Sequence, residues 1–367
     1  MSDPVVTLVV NGKQYSGWKS IRITRSIESL CGSFALDVSD RWSEQADPWP
    51  IVEGDECRVA IDGQTVIDGY VDTRELSGDG ATRSLTYTGR DRAADLIDCS
   101  VLVVDSSTKG HKWTYRNLDI AGFAKQIATP LGISVSVQPG LALPVDPYLA
   151  AHPGESGFEA IKRAAGSAGV LVISDGAGGI MITRSGSSRA SALIEGVNIL
   201  SGSIKYDATN RFATYLISSQ PPGTDDSYGD ALRVQAQATD VDVARTSRVL
   251  LIRPDKGMDA ATAKRRADWE ARIRAARAAT VTITVQGWEM ATDGQPWPLN
   301  ALTHVTAPRL IGVDGDMLIS EVEFSVADGG GQITQLHLVR PDAFTPEPQA
   351  VVRLPSGLWP ELANGAQ

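Results

Sequence analysis

The stretch VIDGYVDTRELSGDGATRSLTYTGRD, Val66–Asp91, reads as one long hairpin: an extended alternating strand, a Gly/Asp turn and a second strand. A second stretch, MLISEVEFSVADGGGQITQLHLVRPD, Met317–Asp342, has the same plan. Both end in Arg and Asp just before the pattern changes. Two readings remain open at this level. Long hairpins can converge on one pattern, or the chain can hold two related β domains. Strand order separates them, because a duplication must repeat it.

Outward from the first hairpin, the N-terminal hundred residues are strand-like. Val5–Val10 is a β-branched run closed by Asn11-Gly12, a hairpin turn pair. Ser20–Thr24 and Ser33–Ser39 alternate apolar and polar positions, so each presents one face to a core. Cys57–Ile61 turns at Asp62-Gly63 into Thr65–Asp72. Turn signals about every ten residues point to a barrel or sandwich. The pattern then changes: Arg90–Ile97, Leu118–Thr129 and Ser156–Ala168 read as helices, with strands at Ile133–Val137, Val170–Ser174 and Ile180–Arg184. This is a small α/β unit set among β segments. Strands return at Arg211–Ser218, Leu232–Ala238, Val249–Ile252, Val281–Gln286, Ala301–Ala307, Met317–Val326 and Ile333–Val339, interrupted by one strong helix, Asp259–Ala279. The segment Thr345–Gln367 carries four prolines and reads as an extended tail.

The 367 residues predict two to three domains. The net charge of -10 disfavours nucleic acid and anionic membrane surfaces as partners. Cys31, Cys57 and Cys99 are widely spaced, which predicts reduced thiols in a cytoplasm rather than a disulfide framework. The Met1–Pro4 start predicts no signal peptide, and no stretch approaches the apolar length of a membrane span.

No chemistry-bearing constellation emerges. His111, His152, His304 and His337 are scattered without metal-ligand spacing. Ser156, in Gly154-Glu155-Ser156-Gly157, lacks the spacing and the preceding strand of a nucleophile elbow; with Glu159 three residues on, it reads as a helix cap. Gly176–Gly179 opens no helix, so it reads as a hairpin turn and not a phosphate cradle. The acid pairs Asp225/Asp226 and Asp314/Asp316 lie in turn-rich loops. The helix Asp259–Ala279 is basic, through Lys264, Arg265, Arg266, Arg272, Arg274 and Arg277. However, Asp268 precedes Arg272 by four residues and Glu270 precedes Arg274 by four, pairs that contribute about 0.2–0.5 kcal/mol each. Trp269, Ile273 and Ala276 form an apolar stripe for docking on a sheet. A self-paired helix, or one facing an acidic neighbouring subunit, outweighs a DNA reader. Catalytic, cofactor and metal residues are therefore all assigned as none. Trp18, Trp42, Trp49 and Trp297 are expected in loops, as candidate interface anchors.

Several of these motifs together resemble one family. Thr24–Glu28 with Gly32–Leu36, Gly69–Asp72, Pro153–Ser156, Gly287-Trp288 and Asp293–Trp297 are similar to segments of the Mu-like phage baseplate hub proteins. The most specific part is GRDRAADLIDCS, Gly89–Ser100. The likeness runs to about residue 345, and the tail after Thr345 departs from the pattern. It implies kinship with the hub of T-even phages and with the N-terminal part of type VI secretion spike proteins. The implied fold is α+β, mainly β, with two antiparallel β-barrels of tail-tube type and an inserted small α/β domain. The first barrel is expected over 1–98, completed by about 195–220, and the insert over 99–194. The second barrel is expected over 204–345 with the helix 259–279, and the tail over 346–367. The implied role is a non-enzymatic homotrimeric ring of pseudo-sixfold symmetry, assembled in the host cytoplasm. It would join the tail tube and other baseplate proteins to a central spike and pass DNA without reading its sequence. The competing expectations are a tail-associated cell-wall hydrolase and a type VI-like spike component.

Overall fold

The computed structural model describes residues 6–39, 50–78, 83–101, 103–105, 110–219, 234–254, 257–326 and 331–348. Trp42, Trp49, Asp225, Asp226 and most of the tail therefore lie outside the described residues. The chain divides into two compact units: Met1–Asp207 with Ala276–Pro346, and Ala208–Ala275 with Glu347–Gln367.

In the first unit, β1 (Val6–Val10) and β2 (Lys13–Tyr15) form a hairpin across Asn11-Gly12, both at positive φ. Then follow β3 (Ser20–Ser26), β4 (Ser33–Ser39), β5 (Glu56–Ile61), β6 (Gln64–Gly78) and β7 (Arg83–Asp91). The inserted segment holds α1 (Ala94–Asp98), α2 (Ile120–Ala128) and α3 (Gly157–Ala168) with β8 (Val135–Val137), β9 (Leu171–Ser174) and β10 (Ile180–Thr183). Its small sheet runs β8-β10-β9, with β8 parallel to β10. The helices cover it through Phe123, Ile127, Ala160 and Ile161, all buried, with Tyr115 edge-on to Phe123 at 4.9 Å.

The second unit holds β12 (Thr214–Ser219), β13 (Val234–Thr239) and β14 (Val249–Ile252), which follow β11 (Ile199–Tyr206) of the first unit. Their sheet order is β13-β12-β14, with β14 parallel to β12. The long helix α4 (Ala260–Arg277) buries Ala263 and Ala267 with Ile217, Ala238 and Met258. The small face suits a close helix–sheet approach. It differs from the expected stripe: Trp269 lies under the Arg266 guanidinium at 4.8 Å, while Ile273 and Ala276 are buried as expected. The charge is self-paired, with the expected Glu270–Arg274 pair among the contacts. Asp268 takes Lys264, and buried Glu270 takes both Arg266 (2.9 Å) and Arg274 (2.8 Å).

Back in the first unit come β15 (Ala279–Gln286), β16 (Ala301–Ala307), β17 (Val313–Val326) and β18 (Gln332–Val339). The protein is mainly β with α+β organisation. The large sheet runs β11-β15-β18-β17-β3-β4-β7-β6-β5-β1-β2, with β16 beside β17. No barrel closes along this path among the described residues. Both halves share one hydrophobic core, from Leu8, Phe34 and Tyr87 to Val281, Trp288 and Phe324.

The two halves repeat. One half is ordered β3-β4-β7-β6-β5 and the other β11-β15-β18-β17-β16. The long hairpins even carry a bulge at the same point. Pairing of β6 with β7 slips between Val71 and Thr73, and pairing of β17 with β18 slips between Ile319 and Glu321. This aligns Asp72 with Ser320, three residues away from where the hairpin sequences alone would match. The segment 195–220, expected to complete the first half, instead places β11 against β15 of the second. Nothing in the local sequence distinguishes the two choices, since β11 alternates equally well for either neighbour.

Candidate functional site

The residues that looked chemical in sequence are dispersed. His111 stacks edge-on near Trp113 at 5.9 Å. His304 lies between Asp314 (3.5 Å) and Asp316 (3.0 Å), with Arg189 also on Asp316 at 2.8 Å. His337 meets Thr282 at 3.2 Å and Glu321 at 3.4 Å across the sheet. No group of three or more metal-ligating side chains occurs among the described residues. Ser156 makes a full capping box: its hydroxyl accepts from the Glu159 amide (3.2 Å), and the Glu159 carboxylate accepts from the Ser156 amide (2.9 Å). The Gly176–Gly179 turn is organised by Asp175, whose carboxylate accepts from the Ala177 (2.7 Å) and Gly179 (2.9 Å) amides. Burial pushes the Cys57 thiol up to about 12, which keeps it an inert thiol. No described helix is long and apolar enough to cross a membrane.

Of the tryptophans expected in loops, Trp297 is 4% exposed and belongs to the core, beside Trp288. Trp18 is half-buried and edge-on to Tyr87 at 6.5 Å. The apolar floor of the large sheet takes both rings, a placement that turn-rich flanking sequence conceals.

What the structure does bring together is a polar joint built from Gly89–Ser100. Gly89 is required here: a Cβ would overlap the Tyr70 carbonyl and come within 2.6 Å of the Phe34 ring. Strand β7 runs on through Arg90 and Asp91, where a helix was expected, and α1 starts at Ala94. Arg90 bridges Asp72 and Asp98, both at 2.7 Å, and this hydrogen bond holds the Asp98 carboxyl below its usual range. Arg92 pairs with Asp68 at 2.9 Å and lies over the Tyr70 ring at 5.1 Å. Between them Asp91 is buried and accepts from the Gly32 (2.7 Å) and Ala93 (3.0 Å) amides. Burial raises the Asp91 carboxyl, against those hydrogen bonds and the nearby Arg25 charge. Arg25 donates to the Ser174 carbonyl at 3.2 Å, and burial lowers its pKa, an effect opposed by Asp91 and Asp175. The joint thus fastens strands β3 and β7 to the β9–β10 hairpin. Its contacts are buried charge and backbone amides holding these elements together. The sequence motifs contain both Gly89–Ser100 and Arg25, but the contact of Arg25 with Ser174, 149 residues away in the chain, leaves no local signal.

Family models match in three places. They are the N-terminal domain of Mu phage baseplate assembly protein GpP-like over residues 5–91, the second domain of baseplate hub protein gp44-like over 93–184, and the fourth domain of Mu phage baseplate assembly protein GpP over 259–347. The chain is 31% identical over 350 residues to the baseplate hub protein gp44 of Escherichia phage Mu, covering 92% of this chain and 88% of that one. A 43 kDa tail protein of prophage MuSo2 from Shewanella oneidensis shares 30% identity with a TM-score of 0.81, covering 95% of this chain and all of that one. A type VI secretion component of E. coli, itself similar in structure to T4 tail proteins gp27 and gp5, shares the fold alone. Its identity is 10% and its TM-score 0.54, with 94% of this chain and 80% of that one covered. The chain belongs to the Mu-like phage baseplate hub protein family, and is a component of a phage tail.

Proposed function

We propose that the chain is a non-enzymatic hub that forms a homotrimeric ring. One side of the ring would receive the tail tube and other baseplate proteins, and the other the central spike, with DNA passing through the middle. The observation that carries this reading is the repeated strand order. Three copies of a subunit with two similar halves present six similar positions. A ring of that kind matches a sixfold tube on one face and a threefold spike on the other. In this reading each half is a curled antiparallel β-barrel unit of tail-tube type. The first takes in residues 1–98, the second 204–345, and 99–194 is the inserted α/β domain. The net charge of -10 supports passage without binding, since a lumen rich in phosphate contacts would hold DNA. Assembly in the host cytoplasm fits three unpaired thiols. Ser156, His304 and His337 are occupied by capping and sheet-surface contacts, which favours a structural role over wall hydrolysis.

Solution mass tests the ring. At high concentration a species of three times 39.0 kDa is expected, with threefold rings in electron micrographs. A strict monomer at millimolar concentration overturns it, and turnover of purified peptidoglycan would favour the hydrolase.

A further inference from the structure

The two long strands of the repeat are used unequally. On the side away from β18, β17 is covered along its length: β16 pairs with its first part, and β3 with Glu321–Val326. On the side away from β7, β6 is paired by β5 only over Gln64–Tyr70. Its remaining stretch, Thr73–Gly78, has no partner strand on that side among the described residues and is exposed. The bulges make Thr73–Gly78 the counterpart of Glu321–Val326. Likewise β3 is the counterpart of β11. Ile23 faces Phe34 and Phe34 faces Gly89, while Ile204 faces Val281 and Val281 faces Leu338. Yet β11 ends the sheet with its outer side unpaired among the described residues.

We infer that β11 of one copy pairs antiparallel with Thr73–Gly78 of β6 in the next copy, repeating between chains the β3–β17 join made within each chain. This rests on the ring reading and names its contact. The register follows from the internal join. There Phe324 faces Ile23, Glu323 faces Thr24 and Val322 faces Arg25. Transferred, Leu76 faces Ile204, Glu75 faces Lys205 and Arg74 faces Tyr206. The chemistry at each position suits its mate. Leu76 is 57% exposed where its counterpart Phe324 is 1% exposed, and Tyr206 is 75% exposed. Glu75 and Lys205 are exposed and opposite in charge, a directly facing pair that stabilises sheets. The internal join also carries an ion pair, Arg22 with Glu323 at 3.5 Å. An edge strand left open is an invitation to pair. Because the two edges differ, the contact is head-to-tail, the kind that closes into a ring when the rotation allows.

Two variants test it, each changing only exposed side chains: Leu76→Asp, which spoils the β6 edge, and Lys205→Glu/Tyr206→Asp, which spoils the β11 edge. At a dilution where the wild type is itself monomeric, thermal melts of both should match it, showing that the fold is kept. Each variant alone should run as a monomer where the wild type is a trimer, with association weakened by at least about tenfold. Mixed together they should give a dimer and no trimer, because only one live joint remains. Glu75→Lys combined with Lys205→Glu should associate better than either single change. Variants that remain trimers would overturn this contact and leave the ring standing. A wild type that is monomeric at millimolar concentration overturns the ring and the contact with it.

Discussion

At equivalent places in the repeat, the second half of the large sheet buries Phe324 under β3 and the first half leaves Leu76 in solvent. Both sit two residues before the end of a long strand and four after a bulge. The difference therefore lies in the neighbour, and a sheet edge acquires its energetic weight only when something covers it. Truncation makes this measurable. Phe324→Ala should destabilise the monomer by about 3–5 kcal/mol in urea unfolding, the usual range for a buried aromatic. Leu76→Ala should change it by less than about 0.5 kcal/mol, as surface substitutions do. Comparable losses at the two positions would break the equivalence.

The same comparison continues at the end of each hairpin. The first half ends in Asp91, buried in the joint to the inserted domain; its counterpart Arg340 is exposed and precedes a short turn, Pro341–Phe344. Asp91→Ala removes the acceptor of two buried amides, so a loss of about 2–4 kcal/mol is expected. Arg340→Ala should cost less than about 0.5 kcal/mol. Hydrogen exchange sharpens the test: in Asp91→Ala the Gly32 and Ala93 amides should lose protection before the rest of the sheet. Equal protection in both variants would show that Asp91 is not a lock.

Facing pairs inside the halves have traded volume. Phe34 opposes Gly89 in the first, and Val281 opposes Leu338 in the second. Gly89→Ala overpacks the site and should cost about 1–3 kcal/mol. Adding Phe34→Val should recover part of that, since the ring would retreat while the Tyr70 carbonyl stays in place. Strict additivity of the two changes would contradict the trade.

How much of this was legible in the sequence depends on the range of the interaction. Strands such as Ser33–Ser39 and Ala301–Ala307 were readable to the residue, because alternation is local and one face is buried. The capping box at Ser156 was readable because its partner is three residues away. The hairpin echo was visible, but not its register, which the strand pairing within each hairpin sets. The partner of β11, the continuity of both halves in one sheet, and the Arg25 contact with Ser174 were not readable at all. Each depends on which distant segment arrives, and alternation fits several. The burial of Trp297 was missed for a related reason: flanking Pro296 and Pro298 signal a loop, and a loop can still send its ring into a core.

The smallest effect concerns the element that makes the halves unequal. After β7 the first half carries an α/β segment, and α3 is seated against the end of α1. The Gly157 amide donates to the Cys99 carbonyl at 3.1 Å and the Val101 amide to the Glu155 carbonyl at 3.0 Å. Ser156 stands at this seat as the cap of α3. Ser156→Ala should lower stability by about 1 kcal/mol, the typical worth of a cap. Ser156→Asp should retain most of it, because a carboxylate at the same position accepts the Glu159 amide and also favours the helix N-terminus. Tail assembly should survive both changes. A nucleophile would behave otherwise, with both substitutions abolishing activity and neither needing to alter the melt. Retained assembly with a lost cap would leave Ser156 a structural residue of the insert, and the asymmetry between the halves a matter of packing.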